Sequence, residues 1–321
     1  MKLALKLIVT VILLLAFLFL VPSGAYLGFA EGSGTPADAG RIIEIPLDAE
    51  SHLKENSEAI PSPQESGYIS ETEYEDPSIS VSISSGFMYD TRYVIAHVRI
   101  ANASQIRSYI AGGSYRNPSE NPGVKLAKKV HAVLAINGDF FSKRPNTGIT
   151  VRQGQGYYLP QSDKNLTFRD VARYDILLID DQGDLHILKE ATMDDLRAFP
   201  HNVINAFTFG PGLVIDGEPQ GDYPDMKNAP SKRTQRMCIA QTGPLEYLCI
   251  CCEGPDDPGS SGMTLEQFTD LVASQEGVVN AYNLDGGGST TMAFNGKKIN
   301  GPSHRATLVD ILYFASAYVP E

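Results

Sequence analysis

Apolar and polar positions fall into regular patterns from about residue 79 onward. Ile79-Ser80-Val81-Ser82-Ile83 alternates strictly, and Tyr93 to Ile100 is a second β-rich run, so the domain opens as sheet. Pro122 to Val130 predicts a short helix feeding a buried strand from Ala132 to Ile136, which ends at Asn137-Gly138-Asp139-Phe140-Phe141. Tyr174 to Ile179 and Leu185 to Leu188 flank Asp180-Asp181-Gln182-Gly183-Asp184 and read as a hairpin; calcium would suit those aspartates, but a turn that favours Asp and Gly accounts for them. Thr192 caps a short helix stopped by Pro200, and Phe207 to Ile215, interrupted by Gly210-Pro211-Gly212, resumes the β pattern. Arg236 to Gln241 and Tyr247 to Cys252 form a hairpin about Gly243-Pro244. Thr264 and Gln267 set a capping box for a helix whose Leu265, Phe268, Leu271 and Val272 make one apolar stripe. The strand Val278 to Leu284 follows, then Asp285-Gly286-Gly287-Gly288-Ser289-Thr290-Thr291 and a further strand. Strands dominate and helices are few, which predicts an α+β single domain with a large mixed, mostly antiparallel sheet core.

Upstream the pattern changes twice. Lys2 and Lys6 precede an apolar run from Leu7 to Val21, followed by Pro22-Ser23-Gly24 and small-residue cleavage candidates; residues 1–30 therefore read as a signal peptide, or as an anchor tethering the chain through 7–30. Either way the remainder is expected outside the cytoplasm. Residues 31–77 mix Glu, Ser, Pro and Gly without a sustained period and read as an acidic flexible linker, leaving 78–321 as the domain.

Charge sharpens this division. The formal net charge is −12, with 26 Lys and Arg against 38 Asp and Glu. Residues 31–77 hold twelve acids against Arg41 and Lys54, so most of the acidity sits in that segment and the domain is close to neutral. Nucleic acid is excluded as a partner, because phosphate-backbone binding needs clustered cations. A few placed arginines could still receive an anionic substrate.

The glycine run is the sharpest local signal. A strand rather than a helix follows it and no lysine is placed for phosphates, which excludes P-loop and Rossmann nucleotide sites. Gly286, Gly287 and Gly288 can instead turn backbone N–H groups toward an anion beside the Ser289 and Thr290 hydroxyls, with Asp285 presented at the strand end; a tight strand connection is the other use of such a run. Asn137-Gly138-Asp139 repeats the arrangement at a second strand end. Arg233 and Arg236, near Lys232, could supply guanidinium groups.

Taken together, Ala135-Ile136-Asn137-Gly138-Asp139-Phe140-Phe141, Gly210-Pro211-Gly212-Leu213-Val214, Asn283 to Met292 and Asn300-Gly301-Pro302-Ser303-His304-Arg305 resemble the successive motifs of the phosphodiester glycosidase family. The resemblance runs from about Val94 to the C-terminus. It implies hydrolysis of the sugar–phosphate glycosidic bond in a sugar-1-phosphodiester such as an N-acetylglucosamine-1-phosphodiester, with a phosphate-containing glycan as partner; its bacterial members are commonly exopolysaccharide-related. Arg236-Met237-Cys238-Ile239-Ala240 stands where the family has Arg-Thr-Ala-Ile-Gly, while Arg233-Thr234 offers a competing alignment.

The chemistry suits these residues. A phosphate leaving group hardly needs protonation, so an anion cradle and a carboxylate carry the reaction. Asp285 is the first candidate for base or nucleophile and Asp139 the second, with Arg236, the glycine-loop amides, Ser289 and Thr290 on the phosphate. Asn137 and Gly138 are expected to bind substrate, and Arg305 to brace the site. A non-catalytic glycan-binding or exopolysaccharide-assembly protein of the same fold is the alternative; carboxylates beside an anion cradle favour the enzyme.

No metal or cofactor is required by this reading. A divalent cation held by loop carboxylates is compatible with the sequence but not called for. The histidines lack H-E-x-x-H or H-x-x-x-H spacing, which disfavours zinc hydrolysis, and no Gly-x-Ser-x-Gly occurs. Cys238 and Cys249 are placed to face each other across a hairpin, as a disulfide or as buried thiols.

Overall fold

The computed structural model describes residues 40–47, 51–55, 59–139, 148–166, 175–221, 223, 230–301 and 307–321. The expected leader, residues 1–30, lies outside them, as do Phe140, Phe141, His304 and Arg305. No helix of the described residues is long and apolar enough to cross a membrane.

Three large antiparallel sheets build the domain among the described residues, beside two two-stranded ones, Arg41–Ile42 with Tyr318–Val319 and Asn121–Pro122 with Thr307–Leu308. The largest has eight strands, in the order Glu218–Pro219, Gly212–Ile215, Asn280–Leu284, Arg236–Gly243, Glu246–Cys252, Thr91–Ile100, Ile79–Met88 and Glu73–Asp76. A central five-stranded sheet runs Lys297–Lys298, Met292–Phe294, Ala132–Asn137, Asp310–Ala315 and Ile106–Ile110. A second five-stranded sheet runs Leu185–Leu188, Ile176–Asp180, Val203–Phe207, Thr150–Arg152 and Gln155–Tyr158. Every ladder between described strands is antiparallel, so neighbouring strands need only hairpins or loops rather than helical crossovers. The fold is α+β, mostly antiparallel sheet with short helices.

The main core forms where the three sheets face one another. Val81 and Val98 of the large sheet, Ile136 and Phe314 of the central one, and Ile179 and Phe207 of the third share one buried cluster. Alternation explains how one strand serves two layers: Val94, Ala96 and Val98 enter this core, while Ile95 turns to the opposite face. There the Leu265–Ala273 helix covers the large sheet with Leu265, Phe268, Leu271 and Val272. Its predicted capping box is present, with Thr264 Oγ1 accepting from Gln267 N–H at 3.1 Å and Gln267 Oε1 from Thr264 N–H at 3.1 Å. The Gly123–Lys129 helix covers the central sheet through Leu126 and Ala127.

Two expectations are corrected. Part of the segment read as a flexible linker packs on the domain: Ile45 and Ile60 join the cluster under the Gly123–Lys129 helix, and Tyr74 enters the main core. Glu73–Asp76 pairs with Ile79–Met88. Three apolar anchors and an edge ladder offset the ordering entropy that the polar composition alone does not. Cys238 and Cys249 also do not face each other. Cys238 is registered opposite Ile250 and Cys249 opposite Ile239, and the two thiols point into different cores. All four cysteines are free and buried, and burial raises each thiol's pKa.

Candidate active site

Two strand ends from different sheets are tied together at the centre of the domain. Asn137, last residue of the Ala132–Asn137 strand, donates from Nδ2 to the carbonyl of Asp285 at 2.7 Å. Asp285, just past the Asn280–Leu284 strand, donates its N–H to the Gly138 carbonyl at 3.4 Å. Thr291 N–H reaches Asn137 Oδ1 at 3.1 Å. Expected as a ligand for sugar or phosphate, Asn137 is buried with both ends of its amide on backbone groups, which makes it the brace between the two ends.

Of the other motif asparagines Asn300 plays the same part, while Asn283 bonds through Nδ2 alone and its Oδ1 is buried without a partner among the described residues. Asn283 Nδ2 donates to Gly210 O at 2.8 Å, and Asn300 bridges Thr290 O at 2.9 Å and Met292 N–H at 2.7 Å. An amide offers a donor and an acceptor at once, which suits a junction where two chain segments each leave one backbone group unpaired.

A cleft of about 40 Å³ opens at this junction, and Asn137, Gly138, Asp139, Asp285, Ser289 and Asp310 contribute to its walls. Gly138 is required by close approach, since a Cβ there would lie 2.4 Å from Asp310 Oδ2. Asp139 is buried: Oδ1 lies 3.1 Å from Arg152 Nη2, and Oδ2 accepts the Thr208 N–H at 3.2 Å. The same Arg152 Nη2 donates to Asp310 Oδ2 at 2.8 Å, with Nε at 3.3 Å from that oxygen. Its Nη1 donates to the carbonyls of Val151 and Ala206, and the guanidinium lies 4.0 Å from the centre of the Phe207 ring. One fully buried cation thus holds two carboxylates.

Electrostatics distinguish these groups. Burial pushes the Asp310 carboxyl up to about 7, Arg152 opposes this, and the charges of Asp139 and Asp285 add to it. Burial works against the Arg152 charge, but Asp139 and Asp310 outweigh it and raise the guanidinium above its ordinary value. Asp285 is half-buried, with Oδ1 accepting the Gly286 N–H at 2.9 Å.

The glycine loop is a single 3₁₀ turn over Gly287–Ser289. Of the glycine amides expected to cradle an anion, Gly287 N–H instead donates to Gln235 O at 3.0 Å and Gly286 N–H to Asp285 Oδ1 at 2.9 Å, while Ser289 N–H and Thr290 N–H close the turn on Gly286 O at 3.2 Å and Gly287 O at 3.1 Å. A Cβ on Gly286 would meet Gln235 O at 2.7 Å, so the loop rests directly on the neighbouring strand. Ser289 faces the cleft, Gly288 is exposed, and the Thr290 hydroxyl is buried without a partner among the described residues.

Neither Arg236 nor Arg233 is among the residues lining the cleft. Arg236 donates from Nε to Met263 O at 3.2 Å and from Nη2 to Lys232 O at 2.8 Å and Pro230 O at 3.5 Å. Burial lowers its pKa. Arg233 donates from Nε to Gly262 O at 2.8 Å and from Nη2 to Tyr89 O. The role expected of both on phosphate gives way to clamping carbonyls around the strand that supports the glycine loop.

Arg152 and Asp310 were missed by motif reading. Each left a trace: a lone charge inside an apolar strand, Thr150-Val151-Arg152 and Val309-Asp310-Ile311-Leu312. Such a residue is retained in a core only when paired.

Three comparisons bear on this arrangement. The phosphodiester glycosidase family profile matches residues 131–315, more than half of the chain. An uncharacterised protein derived from the SPbeta prophage of Bacillus subtilis, YomE, is 26% identical over 181 residues, which span 56% of this chain and 27% of the relative. Among solved structures, the catalytic domain of zebrafish N-acetylglucosamine-1-phosphodiester alpha-N-acetylglucosaminidase, auto-inhibited by its pro-peptide, superposes with a TM-score of 0.53 at 16% identity, covering 80% of this chain and 86% of that one. A hypothetical protein from Synechocystis gives 0.48 at 15% identity over 75% and 62% of the two chains. The zebrafish domain shares the fold, and the family match takes in the brace, the buried ion cluster and the glycine loop: the chain belongs to the phosphodiester glycosidase family.

Proposed function

We propose that this protein is a hydrolase that cleaves the sugar–phosphate glycosidic bond of a sugar-1-phosphodiester. The observation that carries the reading is the convergence of Asp139, Asp285 and Asp310 on one cleft, fixed by the Asn137 brace and by Arg152. A cleft of about 40 Å³ has room for a water. In this scheme the cleft holds the nucleophilic water and the sugar sits at its mouth. Asp285, half-buried where Asp139 and Asp310 are buried, takes the water proton as the oxygen bonds to the anomeric carbon. The bond from that carbon to the phosphate oxygen breaks, its electron pair stays on the phosphate, and the products are a reducing sugar and a phosphomonoester. Asp139 stabilises positive charge growing on the ring, and Ser289 offers a hydroxyl to the departing phosphate.

The leader-like residues 1–30 extend the proposal to place: the substrate is a glycan of the cell envelope or its surroundings, and the chain is exported or held at the outer membrane face. Incubation with N-acetylglucosamine-1-phosphodiesters should release reducing sugar, and Asp285→Asn and Asp139→Asn should each cut the release about a hundredfold or more. If both variants fold and retain full activity, the assignment of these carboxylates is wrong. Binding of the diester without release would instead favour a glycan-binding protein.

A further inference from the structure

The third sheet carries a second cluster of chemistry-bearing side chains, away from the cleft residues just described. Asp180 ends the Ile176–Asp180 strand, His186 lies on the Leu185–Leu188 strand, and His201 follows the Met193–Ala198 helix. A bulge at Ile179/Asp180 interrupts the ladder with Val203–Phe207 at this point. Such irregularities re-aim a side chain that regular pairing would direct elsewhere.

The three donor atoms converge. Asp180 Oδ2 lies 2.8 Å from His186 Nε2 and 3.6 Å from His201 Nδ1, and all three atoms fall within 4.8 Å of one another. Ligands at about 2.0–2.1 Å from a tetrahedral zinc ion stand roughly 3.3 Å apart, so small side-chain rotations bring this set to bonding distance. Asp180 is buried, and its other oxygen, Oδ1, accepts N–H groups of Gln182 at 2.9 Å and Asp184 at 3.0 Å, which hold Oδ2 toward the imidazoles. The His186 and His201 rings stack with centroids 5.1 Å apart, and Phe199 packs edge-on against His186. His201 is exposed, so water reaches the open side.

Calcium is the wrong ion for this turn. Its carboxylates diverge: Asp184 Oδ1 accepts from Gln241 Nε2 at 2.7 Å, and Asp181 Oδ2 from Asn202 Nδ2 at 2.8 Å. Two imidazoles and one carboxylate select a borderline transition-metal ion over a hard one.

We propose that Asp180, His186 and His201 form a binding site for one divalent transition-metal ion of the zinc class, with water completing its coordination. The ion links the end of the Ile176–Asp180 strand and its neighbour Leu185–Leu188 to the segment between the Met193–Ala198 helix and the Val203–Phe207 strand. Sequence spacing conceals the site, because His186 and His201 are fifteen positions apart on different elements.

The full chain, stripped with chelator, is titrated with Zn²⁺ by calorimetry and with Co²⁺ by visible absorption. The expected result is one ion per chain, Co²⁺ bands of a nitrogen and oxygen set, and a rise in Tm with Zn²⁺. His186→Ala and His201→Ala should each weaken binding at least about tenfold and remove the Tm rise. His201 is exposed, so His201→Ala should leave the melting of the metal-free protein unchanged; this separates lost ligation from lost folding. His304→Ala serves as a control and should bind normally. Absence of stoichiometric binding, binding unaffected by both variants, or loss of binding on His304→Ala alone would overturn the proposal.

Discussion

Arg152 and Arg236 are both buried arginines at the inner ends of strands, and they are used in opposite ways. Arg152 meets two carboxylates, so its charge is cancelled and its bonds fix Asp139 and Asp310 beside the cleft. Arg236 meets carbonyl oxygens, so its charge is solvated by dipoles but not cancelled, and its bonds fix loops around the strand on which the glycine turn rests. The opposite directions of their pKa shifts express this difference. Burial alone therefore does not tell a chemical arginine from a structural one; the partner does. An arginine between carboxylates positions groups that can react, whereas one among carbonyls positions backbone.

The comparison can be broken most directly at Arg152. Arg152→Met would strand two buried carboxylates and should cost about 3–5 kcal/mol of folding stability, read as a large drop in the urea midpoint or as failure to fold. A normal midpoint would mean that the carboxylates do not depend on it. Asp285→Asn touches neither guanidinium; turnover of a sugar-1-phosphodiester should fall about a hundredfold or more. Its urea midpoint should stay close to the unsubstituted value, and a shared loss of both would identify a structural residue instead.

Arg236→Met should be milder, at about 1–3 kcal/mol, because it leaves carbonyls unpaired rather than charges. Its activity loss should appear in KM or kcat only as far as the glycine turn shifts.

The smallest expected effect is a slope. Asp310 ionises near 4 when unfolded but holds its proton to about pH 7 when folded, so the unfolded chain binds fewer protons across that window. Its contribution to stability is therefore lost as pH rises from about 4 to about 7 and is level above. Thermal melts of Asp310→Asn should show a shallower fall over this range than the unsubstituted protein. Equal slopes would assign the titration elsewhere.

Local chemistry was readable along the chain wherever one segment suffices. Asp216-Gly217 and Asn295-Gly296 form turns with positive φ at both residues, as their composition predicts. Thr192 and Thr264 close capping boxes with residues three positions on. The two acidic strand ends were legible for the same reason, since each is a contiguous motif. Arg152 and Asp310, by contrast, lie 158 positions apart and acquire meaning only as partners. The facing of Cys238 depends on hairpin register, and the packing of the described residues between 40 and 76 on three apolar anchors whose receiving surface lies far along the chain.

What the sequence determined alone was the α+β class, the order of strands and turns, and the family motifs, because each depends on interactions between near neighbours. Tertiary structure decided which polar groups serve chemistry and which serve architecture. Asn137, the Gly287 amide and Arg236 look like ligands until their bonding capacity is traced to backbone partners. A buried polar group is defined by whatever satisfies it, and those partners arrive from distant strands only when the sheets close.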